Sequence, residues 1–183
     1  MSADRSLSKG TDADGWHPVD DDRFRRALSS HASGVVVVTA APEGGRPVGL
    51  TVTSFSSVSL SPPLVSFYVG NTSATWPSLR AAGHFCVSIL ADDQAMLASR
   101  FARRGMDRFT APTRWHTGVH GVPVLNGALA HLVCRPYATA GIGDHVLVVG
   151  QVTEVRDGAA SCPLLYQRGR FGRFAPRAQA DRD

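Results

Sequence analysis

Apolar positions in this chain fall mainly in short β-branched runs, and few stretches carry the 3.6-residue spacing of an amphipathic helix. Val35 to Thr39 is β-branched throughout and reads as a buried strand. Pro42 to Pro47 reads as a turn, so Val48 to Ser54 becomes the second strand of a hairpin. Val58 to Leu60 continues the sheet until Pro62-Pro63 interrupts its hydrogen-bond ladder. Leu64 to Val69 and His84 to Leu90 read as strands, with a short helix over Thr75 to Ala82 between them. Asp92 or Asp93 is expected to cap a helix running through Gln94, Met96, Leu97, Phe101 and Ala102. Another helix opens at Asp20-Asp21-Asp22 and continues through Phe24, Ala27 and Leu28, because acidic side chains suit the free N–H groups of a helix start. Residues 103 to 130 are rich in Gly and Pro and read as loop. Ala130 to Tyr137, Asp144 to Val155 and Leu164 to Tyr166 complete the strands. Many strands with few short helices predict a mainly β fold, a β-barrel with a few appended helices.

Length and composition set bounds on this picture. A chain of 183 residues suits one core, and the polar segments 1–20 and 175–183 read as flexible tails around a domain over 21–174. A net charge of +4 is too small to imply nucleic-acid binding, and few aromatics stand beside the arginines for stacking on bases. The N-terminus lacks the basic-then-apolar pattern of a secretory signal, and no apolar run approaches the ~20 residues needed to span a bilayer. Cys86, Cys134 and Cys162 are odd in number and form no Cys-x-x-Cys pair, which fits a reducing cytoplasm.

The chemistry is constrained first by what is missing. No Gly-x-Gly-x-x-Gly opens a helix after a strand, no Walker A loop is present, and no Gly-x-Ser-x-Gly elbow appears. His116 and His120 have the spacing of metal ligands on a helix, but the glycines at 118 and 121 argue for a surface loop, so no metal site is expected. Arginines at 100, 103, 104, 108 and 114 form a basic stretch that reads as a solvated face from which one or two guanidinium groups can meet a phosphate. Gly49 to Leu60 carries six hydroxyl residues and offers a polar strand to a planar ligand with polar edges. Asn71-Thr-Ser-Ala-Thr75, just before a predicted helix, adds small hydroxyls where an anion can be held. In Gly141-Ile-Gly-Asp-His145 two glycines leave the backbone open beside a histidine at a strand start.

These segments, taken in order, resemble the flavin reductase-like proteins of the split-barrel flavin-binding fold, which include the reductase components of two-component flavin monooxygenases. The matching stretches are Phe24 to Leu28, Ser33 to Thr39, Gly49 to Val65, Phe85 to Leu90, Gln94 to Phe101, Gly143 to His145 and Pro163 to Tyr166. Thr53 stands where the family often has asparagine, Ser33 where threonine is usual, and Ser61 where aspartate often precedes Pro-Pro.

The resemblance implies a homodimer with FMN or FAD in a groove near the subunit interface, reduced by NADH or NADPH. Val52, Thr53, Ser54 and Phe55 would line the isoalloxazine ring, with Ser57 as a further polar contact. Asn71, Ser73 and Thr75 would lie near the ribityl phosphate, joined by Arg103 or Arg104. Gly143, Asp144 and His145 would flank the ring, His145 orienting the nicotinamide, and Phe171 would stack on the flavin. Reduced flavin would then diffuse to a partner monooxygenase. A competing reading keeps the flavin as a tightly held prosthetic or sensing group with no turnover of free flavin.

Overall fold

A computed structural model describes residues 19–159 and 162–176; most of both expected tails lies outside the described residues. Among the described residues the chain forms three α-helices and twelve strands, and every strand pairing is antiparallel. Seven strands make the main sheet in the order β3(Val48–Val52), β2(Val36–Ala40), β6(Phe85–Ile89), β9(Ala130–Ile142), β10(His145–Asp157), β5(Pro63–Gly70), β4(Ser56–Leu60). This sheet curls around one core, and its two edge strands, β3 and β4, are not hydrogen-bonded to each other. The barrel is therefore split along one seam.

Alternation explains the packing. Val36, Val38 and Ala40 of β2 point into the barrel with Val52, Val65, Phe67, Phe85, Val87 and Val148. The intervening Val37, with Val35, points outward onto a second core formed with Ala98 and Phe101 of α3(Ala95–Ala102), Leu125 and Leu164. Both faces of β2 are buried, which is why its sequence is an unbroken β-branched run rather than an alternating one. Gly49 makes the second layer possible, since a Cβ there would stand 2.7 Å from the Phe101 ring. A third cluster, Cys86 and Val133 under Val122 and Val124, covers the outside of β6 and β9.

Several sequence expectations change in detail. The helix at Asp92 begins as a 3-10 turn over Asp92–Gln94, and neither aspartate caps it; the Gln94 side chain instead accepts from the Ala91 N–H at 3.0 Å. The segment read as loop holds two short strands, β7(Trp115–Thr117) and β8(Pro123–Leu125), around a 3-10 turn containing His120. The strands expected at 130–137 and 144–155 are one long hairpin, β9–β10, with Gly143 and Asp144 as its two-residue turn. Gly143 takes φ +57°, a conformation glycine adopts without steric cost at the first position of such a turn. The helix near the N-terminus, α1(Asp21–Ser29), is capped by Asp20, whose carboxylate accepts from Arg23 N–H at 2.8 Å. Two strands absent from the sequence reading, β1(Ser33–Gly34) and β12(Arg170–Arg173), flank β11(Leu164–Gln167) in a small separate sheet.

Candidate functional site

The seam between the edge strands opens into a groove of about 530 Å³. One wall is the end of β3 with the residues after it, Leu50 to Ser54; the other is Tyr68 to Gly70, with Ile142 and His145 beyond. Ser54 spans the seam. Where β4 no longer pairs with β5, the Tyr68 N–H would be left without a ladder partner, and Ser54 Oγ accepts it at 3.0 Å. Thr53 is exposed at the same edge, while Val52 is buried and Phe55 packs against the barrel core. These four residues do not alternate, because β3 ends at Val52: Thr53 and Ser54, in the bend that follows, show polar groups at the groove, and Val52 and Phe55 pack on the barrel core behind it. Ser57 lies on exposed β4, opposite Val65, away from the groove lining.

His145 starts β10 opposite Gly70 on one side and Ile142 on the other. Its Nδ1 lies 2.6 Å from Asp144 Oδ1. A carboxylate only accepts, so Nδ1 carries the proton and Nε2 is left to face outward from this pair. That hydrogen bond from His145 holds the Asp144 carboxyl below its ordinary range. Asn71 braces the turn from behind: its N–H donates to Asp144 O at 2.9 Å and its side-chain amide to Gly143 O at 3.4 Å. A Cβ on Gly70 would stand 3.9 Å from His145 Nε2, so the glycine keeps the space before the imidazole open.

A second cleft, of about 590 Å³, meets the groove at Thr53 and His145. Its walls are the α1 residues Phe24, Arg25 and Leu28 on one side and Tyr166, Gln167 and Arg168 on the other. The β11–β12 turn is tied to the end of α1, with Arg168 N–H donating to Ser29 O at 2.9 Å and Gln167 Nε2 to Ser30 O at 2.7 Å. Two concave surfaces sharing one histidine provide for two ligands meeting at one point.

Past Gly70 the chain enters the loop carrying the small hydroxyls. Arg104 reaches Thr72 Oγ1 at 3.3 Å and Arg108 reaches Thr75 Oγ1 at 3.3 Å. Thr75 is 6% exposed, so its hydroxyl supports the loop, whereas Thr72 and Arg104 are exposed and Ser73 is half-buried. Arg108 Nε is buried without a hydrogen-bond partner among the described residues, and burial pushes its guanidinium pKa down.

The structure thus brings together Thr53, Ser54, Gly143, Asp144, His145 and Asn71, and sets Thr72 and Thr75, with Ser73 between them in the loop, beside Arg104 and Arg108. It does not bring Arg103 or Phe171 to the groove. Arg103 lines a separate cavity with Met96, Met106 and Arg114. Phe171 packs against the second core and tilts against Tyr166 at 5.2 Å; Tyr166, facing Phe24, is the one of this pair that lines the cleft. Sequence reasoning missed Tyr68 and Arg168, whose spacing carries no motif; Arg25, Ile142 and Tyr166 were visible only as members of the stretches Phe24 to Leu28, Gly141 to His145 and Pro163 to Tyr166. Among the described residues no group of three or more His, Cys, Asp or Glu is placed to hold a metal.

A split antiparallel barrel with a polar seam, and with paired clefts meeting at a histidine, defines a protein that holds a planar cofactor and a second ligand against it. Comparison with known proteins gives that class its family. The profile described as "Flavin reductase like domain" matches residues 28–175, and the chain belongs to that family. It is 44% identical over 155 residues, 83% of this chain and 85% of the relative, to the FMN reductase (NADH) SmoA of Agrobacterium fabrum. It is 40% identical over 163 residues, 89% and 86% of the two chains, to the reductase component of a 4-nitrophenol 4-monooxygenase/4-nitrocatechol 2-monooxygenase of Rhodococcus opacus. The solved structure of an NADH:FAD oxidoreductase of Streptomyces globisporus superposes with a TM-score of 0.81 at 38% identity, covering 91% of this chain and 99% of that one.

Proposed function

We infer that this protein is an NAD(P)H-dependent flavin reductase that passes hydride from a reduced nicotinamide to FMN or FAD and supplies reduced flavin to a partner monooxygenase. The observation that carries the reading is the meeting of the seam groove and the α1 cleft at His145 and Thr53. Bound together, flavin and nicotinamide supply the hydride chemistry themselves, so the protein's task is orientation and exclusion of water.

The residues fit a flavin. The groove volume lies within the roughly 300–1,000 Å³ range of cofactor sites. Thr53 and Ser54 offer hydroxyl and backbone groups to the polar edge of a flat ring. Gly70 leaves room before His145, and Thr72, Ser73 and Arg104, with Arg108 behind, suit the phosphate end. His145, fixed by Asp144, orients the nicotinamide through Nε2; the α1 cleft, with Arg25 and Arg168, receives the remainder of the dinucleotide.

The protein acts as a homodimer in this reading. The outer face of the arm formed by β5, β10 and the far half of β9 carries Tyr68, Leu147, Val149, Ala138, Ala140 and Ile142, and none of them joins a core cluster among the described residues. Past Cys134, β9 has no strand but β10 beside it. This apolar face adjoins the groove through Tyr68 and Ile142, so a second copy seated there would complete the flavin site. We place the protein in the cytoplasm: its three cysteines are free, and among the described residues no helix is long and apolar enough to cross a membrane.

The test is the loss of near-ultraviolet absorbance from NADH, then NADPH, with added FMN, FAD or riboflavin. Turnover that depends on added flavin supports the reductase. Flavin binding without turnover of any pair refutes it in favour of a module that merely holds the cofactor.

A further inference from the structure

We propose that Arg100 is a positioning residue that sets the protein's preference for phosphorylated flavins, although it stands outside the groove. The inference rests on the reading of Thr72, Ser73 and Arg104 as the phosphate end of the flavin site.

Arg100 projects from the last turn of α3 into the loop that follows the helix. Its Nη2 donates to Asp107 O at 2.7 Å, to Thr110 Oγ1 at 2.9 Å and to Thr110 O at 3.3 Å, and its Nε donates to Arg108 O at 3.4 Å. One guanidinium thus gathers three residues, Asp107, Arg108 and Thr110, of a loop that no strand or helix holds. A planar fork with fixed donors is suited to this, whereas a lysine ammonium presents a single point of charge. The same loop is pinned once more on its apolar side, where Phe109 packs edge-on between Phe101 and Trp115 at 5.3 Å from each.

What the fork holds in place faces the loop between β5 and α2(Trp76–Ala81). Arg104 meets Thr72 there, and Arg108 meets Thr75 while also donating to Arg103 O. Arg104 and Arg108 lie on either side of Gly105, which takes φ +69°, so the helix itself does not dictate their direction. Arg100 supplies that direction. Without it, Phe109 still anchors the loop to the second core, but the segment 107–110 loses the contacts that fix it, and with it Arg108 and the short turn back to Arg104 lose their aim at the hydroxyls. The isoalloxazine end of the groove, at Thr53 and His145, shares no hydrogen bond with Arg100, so a flavin lacking phosphate is indifferent to the change.

The experiment measures dissociation constants of FMN and riboflavin by quenching of flavin fluorescence, with wild type, Arg100→Met and Arg100→Lys. Both variants are expected to bind FMN about tenfold more weakly, the factor produced by losing roughly one net hydrogen bond, and riboflavin within about twofold of wild type. Combining Arg100→Met with Arg104→Met should weaken FMN binding by less than the product of the single effects, since the first acts through the second. Parallel loss for both flavins would show general damage and overturn the proposal, as would an unchanged FMN constant or full rescue by lysine. Should Arg100→Met fail to fold, Thr110→Val removes one acceptor of the fork and must shift FMN binding in the same direction, with riboflavin spared. The readout is binding, so a wild type that binds FMN but does not oxidise NADH sinks the reductase reading and leaves this test standing.

Discussion

Gly150 offers a sharp test of whether the barrel interior is as tightly packed as its geometry states. It lies in β10 opposite Val65 and Pro136, beside a shift in the β9–β10 register. A Cβ added there would stand 2.4 Å from Phe85 Cζ, 3.2 Å from Phe85 Cε1 and 3.1 Å from Cys134 Cβ. Carbon atoms prefer about 3.5–4.0 Å, so the Phe85 ring would have to retreat by about 1 Å. It has nowhere to go: Phe85 is 2% exposed, and its ring meets the wholly buried Phe67 edge-on at 5.7 Å. Overpacking of this kind costs about 1–3 kcal/mol. Gly150 is not in the left-handed region, so alanine suits its backbone and recovers about 0.4–1 kcal/mol by stiffening the unfolded chain. Gly150→Ala is therefore expected to destabilise by about 1–2 kcal/mol, a fall in Tm of roughly 2–8 °C at this chain length. Urea unfolding and calorimetry on Gly150→Ala, Phe85→Leu and the double variant complete the test. The shorter leucine makes room for the new methyl, so the double variant should be more stable than the sum of the single losses by about 1 kcal/mol. Strict additivity, or a neutral Gly150→Ala, would refute the reasoning.

Three further outcomes are expected. His145→Ala should slow flavin reduction by NADH about 10- to 100-fold while changing flavin affinity far less, since misplacement rather than lost binding is the cause; stopped-flow reduction beside fluorescence titration separates the two. Tyr68→Arg, placing a charge in the uncovered sheet face, should convert a dimer to monomers in light scattering with gel filtration and weaken flavin binding; an unchanged mass would move the interface elsewhere. His131 has its pKa lowered first by burial, then by His116 and Arg156, and its Nδ1 lies 3.1 Å from Ser88 Oγ. The native state thus binds fewer protons at this site than the unfolded chain, so stability is present above the ordinary value of 6.5 and is lost as pH falls through the lowered pKa. His84, lowered chiefly by burial, acts in the same direction. His131→Gln should flatten the fall of Tm on acidification, and an unchanged slope would assign the acid sensitivity to other groups.

Much of the site was legible because it sits on contiguous stretches. Thr53 and Ser54 belong to one hydroxyl-rich strand end, and Gly143 to His145 form one hairpin turn. The residues that stand away from the groove share a different cause. Phe171 and Arg103 came from the family resemblance, and here strand pairing turns Phe171 against Tyr166 while the end of α3 directs Arg103 toward Met96 and Met106. Asn71 carries an amide suited to a phosphate, and its partners turned out to be the carbonyl groups of Gly143 and Asp144, 72 and 73 residues further along the chain. The aspartates before α3 had the right chemistry for a cap and lost the position to Gln94, because the helix opens through a 3-10 turn.

By itself the sequence determined the strand count to within a few elements, the mainly β barrel class, and the order of segments that mark the family. Those properties follow from local rules, since side chains alternate across a strand and Gly and Pro fix turns whatever lies elsewhere in the chain. Only the tertiary structure decided that β3 and β4 stay unpaired, that Ser54 bridges the gap, and that α1 and the Arg168 turn close a second cleft over His145. Only it showed Arg100 gathering the loop that aims Arg104 and Arg108. Ser54 and Arg100 each find a backbone group as partner, and every residue type carries those groups, so the pattern of side chains along the chain does not record which one is met.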